Sequence, residues 1–472
     1  MNRIKRIHEQ KTLERDRRSL PTIRKLIWCY FYLLMFEGVL RKWVFPGISN
    51  ELLLVKDPVV LLIYLMAIFA GVPFLNGIVL SSIALGLGAA FTGITVGSQN
   101  FLVTAYGFDA CFLHLPLIFL IPKVMNREDV IKIGRAVLLL AIPMAILMVI
   151  QFRSSPEALI NCGAGGGIGA QIRGALGRIR PPGFFTFITG AAQFLAVASA
   201  FLIFGFLHKN HYGNVLLYVA GFALVISVAV SSSRLALGGI GMVFSMVGFI
   251  VLLNRENIGN VFRLLLPVGL ILLSATTLDV FHEGATVFEA RMQEAGDTGA
   301  GLAGTAANWS QRLFGDIISG LEASTRAPLL GEGLGLGTNV GAKLVSGEVG
   351  FLLAEGEHAR VILEMGPVLG IAYLVIRYTI CIVIFVKALR SIEQDNFLPI
   401  LLFGSCALLV TSGQFSQATT VGFAVLFAGL CMAACEVPEG QAMEEFPKRT
   451  PGRIKPRRGR SIYAEALHRH QA

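Results

Sequence analysis

Apolar runs, each close to the ~20 residues that carry a helix across a hydrocarbon core, recur along most of this chain with short polar interruptions between them. About twelve can be delimited, near 26–45, 57–71, 76–95, 102–121, 136–152, 184–207, 214–231, 235–253, 263–280, 359–387, 397–413 and 417–435. Hydrocarbon offers no partner for a free backbone group, so runs of this length predict helices. The expected fold is therefore all-α: a polytopic membrane protein of about twelve spans.

The runs divide the chain into a basic N-terminal tail (1–25), a transmembrane domain (26–435) and a basic C-terminal tail (436–472). The first 25 residues are too long and too mixed in charge for a secretory signal, so they read as cytoplasmic. Composition agrees with a membrane protein, with 54% hydrophobic against 15% charged residues.

A net charge of +10 in a soluble chain would raise nucleic acid as a partner, but the distribution argues against that. Lys and Arg crowd both tails, the segment 123–135, the turn with Arg255 and Arg263, and the segment with Lys387 and Arg390. Twelve spans alternating from a cytoplasmic N-terminus place all of these inside, as positive-inside bias requires. The C-terminal tail is suited to anionic lipid or to a partner protein. Seven cysteines without a CxxC pair predict neither a disulfide framework nor a metal site, and Cys431 and Cys435 read as packing.

The same alternation puts two long connections outside, about 153–183 and about 281–358. The first is rich in Gly and carries Arg173, Arg178 and Arg180; its "GAGGGIGA" is either a flexible stretch or a phosphate nest. Within the second, Trp309, Leu313, Ile317 and Leu321 recur at helical spacing, with Arg312, Asp316 and Ser319 on the opposite side. That pattern predicts an amphipathic helix at the outer membrane boundary, opened by Asn308 and Gln311 as a capping box. Further along, "GEGLGLG" at 331–337 lacks the spacing of a dinucleotide loop.

Arg234 stands at the outer end of its span, so Arg180, Arg234 and Arg312 come from distant parts of the chain to one side of the membrane. Converging guanidinium forks suit an anion with several oxygens, such as a diphosphate. On the same side, "EGEH" at 355–358 opens the tenth run. His358 at a helix start is a candidate general base. Glu364 follows six residues on, about 9 Å along a helix, and Pro367 is expected to kink the helix just beyond it. Glu355 and Glu357 are the residual option for a metal, although no metal or cofactor is expected.

The segments "GRIRPPGFFTFITGAAQFLA", "SSSRLALGG", "SQRLFGDIISGLEASTRAPLLGEGLGLG" and "HARVILEMGPVLGIAYL" together resemble the O-antigen ligase and O-antigen polymerase superfamily of bacterial polysaccharide assembly. The resemblance covers roughly 170 to 380, and "FEGVLRKWVFPG" with "VKDP" is similar to exopolysaccharide polymerases. It implies a glycosyltransferase of the bacterial inner membrane, with both termini cytoplasmic and the active site facing the periplasm. The implied donor is a polyprenyl-diphosphate-linked oligosaccharide; membrane lipids and other polysaccharide-assembly proteins are the further partners. Arg180, Arg234 and Arg312 would bind the diphosphate, with Arg178, Arg360 and Glu364 alongside, and His358 would activate the acceptor hydroxyl. Two departures are visible: Ala359 and Arg360 follow the histidine, and the usual Pro-Asn is missing from "FFTFITG". The expected function is that of a polymerase, transfer to an acceptor sugar hydroxyl; transfer to lipid A core (ligase) and transport of the lipid-linked glycan without chemistry are the alternatives. The expected transfer is metal-independent and inverting.

Overall fold

The computed structural model describes residues 2–208, 211–253, 258–294, 315–347, 350 and 352–436. Among them the regular structure is helical, apart from one isolated bridge between Arg173 and Ile179. Helix α1 (Asn2–Val39) already includes most of the segment expected as a tail, and it buries a stripe of Ile23, Ile27, Tyr30 and Leu34. A π-helical turn, Leu40–Val44, follows. Next come α2 (Asp57–Ala70), α3 (Gly77–Thr95), α4 (Phe101–Phe108), a second π turn (Asp109–Leu113), α5 (Leu117–Val124) and α6 (Arg127–Arg153). After a long connection stand α7 (Ile188–Leu207), α8 (Asn214–Ser231), α9 (Arg234–Leu253), α10 (Ile258–Ala275) and α11 (Asp279–Glu294). A twelfth helix, α12, is described over 315–326. The last four are α13 (Asn339–Ser346), α14 (Glu357–Ile392), α15 (Leu398–Ser412) and α16 (Ala418–Ala434).

Local chemistry explains several boundaries. Asn76 and Asn100 accept hydrogen bonds from the first free backbone N–H groups of α3 and α4, and Asn126 with Asp129 forms a reciprocal box at the start of α6. Helix α2 stops at Gly71, whose φ of 74° a residue with a Cβ rarely adopts.

Seven of the helical segments are long and apolar enough to cross a membrane, or nine if each of two bent pairs counts as one span. Every one of the apolar runs read from the sequence lies on helix. The count differs because α15 and α16, at 15 and 17 residues, are short, and because α1 combines its apolar half with Arg24, Lys25 and Glu37. Helices α7, α15 and α16 are almost wholly buried, whereas α2, α3, α9 and α10 expose Leu61, Phe69, Leu87, Phe91, Leu252 and Leu266. An apolar periphery around a packed centre is what lipid on the outside requires.

Two breaks in the helical order bear on the site. Phe262–Ala275 and Asp279–Arg291 meet at 94°, so α11 turns away from α10 and packs on α8, where a Cβ on Gly284 would meet the backbone at Ala229. The other break is inside α14, at Gly366, with φ 79° and ψ 165°.

Candidate functional site

The break in α14 is a reversal, which corrects the expectation of a single kinked span. Glu357 and Arg377 are twenty positions apart, about 30 Å along a straight helix, yet Glu357 Oε1 accepts from Arg377 Nη1 at 2.5 Å. His358 meets Tyr378 in the same way, and Gly370 lies against Ile362. The element is thus a helical hairpin, with a short limb (357–365) folded antiparallel onto a long limb (367–392). His358 does not open the spanning helix; it stands level with the middle of the long limb. Val368, Ile371, Val375 and Ile382 are exposed on that limb, so its outer face is the apolar one.

Pro367 is the sequence cause of the reversal together with Gly366. Proline has no N–H for the carbonyl of Leu363, and the positive φ at Gly366 turns the chain away. The orphaned carbonyls are taken up by the "GEGLGLG" loop: Glu332 N–H donates to Leu363 O at 2.8 Å and Gly333 N–H to Glu364 O at 3.1 Å. Gly337 N–H donates to Glu364 Oε1 at 2.8 Å. The glycines matter because a Cβ on Gly331 or Gly366 would press into the opposing backbone.

Around His358, two acidic and two basic side chains pair in the interior. Arg360 donates to both oxygens of Glu357 at 2.9 Å and meets Glu364 Oε1 at 2.9 Å. Arg377 bonds Glu357 and the carbonyls of Val410, Leu409 and Gly413. All four are at most 2% exposed. Arg360 and Glu364, read from the sequence as substrate groups, therefore face each other within the short limb, and the ion pair that joins the two limbs is Glu357–Arg377. Glu357 is engaged by two arginines, which occupy both of its oxygens, whereas Glu355 lies exposed.

His358 is 3% exposed and has a partner on each ring nitrogen. Nδ1 faces the carboxylate of Asp316, and Nε2 lies 3.0 Å from the Tyr378 hydroxyl. Asp316 Oδ1 also accepts, at 3.4 Å, from the backbone N–H of His358. A glycine, Gly356, sits at the N-cap of α14, so an acid from another helix supplies the capping oxygen. Gly320, one turn beyond Asp316, lets α12 approach this closely, because a Cβ there would meet the Cβ of His358. Helix α12 accordingly turns Gly320 and Ala323 inward and exposes Ile317, Ile318 and Leu321. The segment read as an amphipathic helix is helical over its described part, 315–326, and Asp316, on the side read as polar, is the partner of the histidine. Arg312, Trp309 and the Asn308 cap lie outside the described residues.

A second centre gathers arginines. The connection 153–183 contains a tight hairpin in which Gly174 N–H donates to Arg178 O at 2.7 Å and Arg180 N–H to Ile172 O at 3.0 Å. Its tip residues Leu176 and Gly177 both have positive φ, as a type I′ turn demands. Arg178 and Arg180, two positions apart, point different ways. Arg178 lies 3.7 Å from Glu283 of α11 and over the Phe152 ring, while Arg180 Nη2 donates to Ser233 Oγ at 3.4 Å. Arg291 of α11 donates to the carbonyl of Ser232, whose φ of 44° turns the chain between α8 and α9, and Arg234 is the next residue but one. Arg180 and Arg291 thus both bond the four-residue turn Ser231–Arg234, in which Arg234 is the last residue. Arg291 was not singled out in the sequence, although it lies in the connection 281–358, which supplied Arg312 and His358. Its spacing within "FEARMQE" carries no anion motif.

No family model matches the chain, and neither curated proteins nor solved structures give a match.

Proposed function

We propose that this chain is a glycosyltransferase of the bacterial inner membrane that moves a polyprenyl-diphosphate-linked glycan onto an acceptor sugar hydroxyl at the periplasmic face, as a polysaccharide polymerase. The single observation that carries this reading is the buried Asp316–His358–Tyr378 array at the head of the α14 hairpin. With Nδ1–H donated to the carboxylate, the Nε2 lone pair is left basic, which is the arrangement a general base requires. His358 accepts the proton of the acceptor hydroxyl, directly or through Tyr378. The freed oxygen forms a bond to the anomeric carbon of the donor, and the bond from that carbon to the diphosphate breaks. Charge collecting on the departing diphosphate calls for fixed donors, and the arginines at the Ser231–Arg234 turn are of the right kind.

Twelve alternating spans with both termini cytoplasmic, the arrangement that suits the basic segments, would put α14's short limb and the Ser231–Arg234 turn on the periplasmic side. Energy must then arrive with the donor, which the diphosphate provides. Arg312 belongs to the reading as a further diphosphate ligand.

One observation favours a second reading, transport of the lipid-linked glycan without chemistry. Transporters place substrate at discontinuous helices, and α14 is one. The deciding experiment incubates purified protein in detergent with polyprenyl-diphosphate oligosaccharide and no added metal. Chain extension supports the polymerase. Transfer to added lipid A core makes it a ligase, and flipping in vesicles with no new glycosidic bond makes it a transporter.

A further inference from the structure

A second group of titratable side chains lies away from both centres, between α1, α2 and the broken α4–α5 span. Asp57 is the first residue of α2, while Asp109 and His114 bracket the π turn where that span bends by 43°. His114 Nε2 lies 3.2 Å from Asp57 Oδ1 and 3.4 Å from Asp109 Oδ1, and all three atoms fall within 4.8 Å of one another. On its other side the imidazole is fixed by the hydroxyl of Tyr30, 3.0 Å from Nδ1. His114 is 4% and Tyr30 1% exposed.

Hydrogen bonding alone does not account for this arrangement. A ring nitrogen carries at most one hydrogen, and two carboxylate oxygens face it; the buried Oδ1 of Asp109 has no hydrogen-bond partner. Nor does charge balance. Lys56, next to Asp57 in the chain, is engaged elsewhere: its Nζ lies 2.8 Å from Glu37 and donates to Ala418 O. Two carboxylates therefore face one imidazole, which even when protonated offsets only one of them.

We propose that Asp57, Asp109 and His114 form a binding site for one divalent transition-metal ion, with Tyr30 as the group that orients the imidazole. Ligand atoms held at 2.0–2.2 Å from one ion stand ~3.0–3.4 Å apart, which matches the two separations at Nε2. One imidazole nitrogen and two carboxylate oxygens suit Zn²⁺ or Mn²⁺ better than Ca²⁺ or Mg²⁺, which prefer all-oxygen shells. The hydroxyl behind Nδ1 is the outer contact that metal-bound histidines usually keep. This site is independent of the glycan-transfer reading and can fail or stand without it.

The test uses the full chain in detergent. Zinc and manganese are measured by mass spectrometry on the purified protein, which is then stripped with chelator and titrated with Co²⁺ while visible d–d absorption is followed. About one ion per chain is expected, lost in Asp109→Asn and in His114→Gln and held on the order of 10–100-fold more weakly in Tyr30→Phe. Folded, monodisperse wild-type protein that takes up no Zn²⁺, Mn²⁺ or Co²⁺ would overturn the proposal, whether or not the variants fold. Equal uptake by wild type and both ligand variants would also overturn it, since the ions would then be held elsewhere.

Discussion

Glu357 and Arg377 belong to one helical element, twenty residues apart, and their side chains touch at 2.5 Å. That pair shows that α14 doubles back, and it places His358 beside Tyr378 instead of at the end of a span.

The pair also predicts a stability cost. Arg377→Ala leaves Glu357 buried with only Arg360 and frees the carbonyls of Leu409, Val410 and Gly413. Breaking a buried ion pair costs about 3–5 kcal/mol, so thermal unfolding in detergent should shift down clearly. By contrast, Glu283→Gln, which removes half-exposed contacts to Arg153 and Arg178, should change stability by less than ~1 kcal/mol.

Asp316→Asn tests the histidine array without changing shape. The amide no longer holds Nδ1–H toward a carboxylate, so glycan transfer should fall ~100- to 10,000-fold with an unchanged unfolding temperature. Wild-type turnover in this variant would reduce Asp316 to a helix cap.

Arg234→Lys keeps the charge and loses the fork. If the Ser231–Arg234 turn holds the diphosphate, kcat/KM for the lipid-linked donor should drop roughly tenfold, the equivalent of one charge-assisted hydrogen bond. An unchanged value would leave Arg234 as a membrane-boundary anchor.

Pro367→Ala restores an N–H that can compete for the carbonyl of Leu363, which Glu332 now occupies. Faster hydrogen exchange at Glu332 and Gly333 is expected, read by mass spectrometry, while Gly366→Ala should destabilise by about 1–3 kcal/mol through its positive φ.

Much of the fold was legible because the signals were local. Apolar run length located the helices, and Pro367 marked the break. What Pro367 could not convey is the size of the turn, which depends on the φ at Gly366 and on Arg377 finding Glu357. At the site, His358 was readable from its place at the head of an apolar run, and Asp316 was visible only as a member of a polar stripe. Nothing in the spacing told that this stripe faces the imidazole, since the pairing spans 42 positions. Arg360 looked like an anion ligand because its two acidic partners, Glu357 and Glu364, become partners only on a helix, at i−3 and i+4. The carboxylate–imidazole group of Asp57, Asp109 and His114 joins positions up to 57 apart, beyond the reach of any motif.

The doubled-back limb sets an order of assembly. During synthesis, 357–365 leaves the ribosome before Arg377 exists, and well before the carbonyls near 409–413 that steady Arg377. Two glutamates and an arginine are costly in hydrocarbon without their partners, which favours a wet surrounding for the limb until Arg377 and the 409–413 carbonyls arrive. The closed form of the hairpin therefore waits on residues synthesised after it, and truncation after the long limb is expected to loosen the histidine centre by removing the carbonyls that steady Arg377.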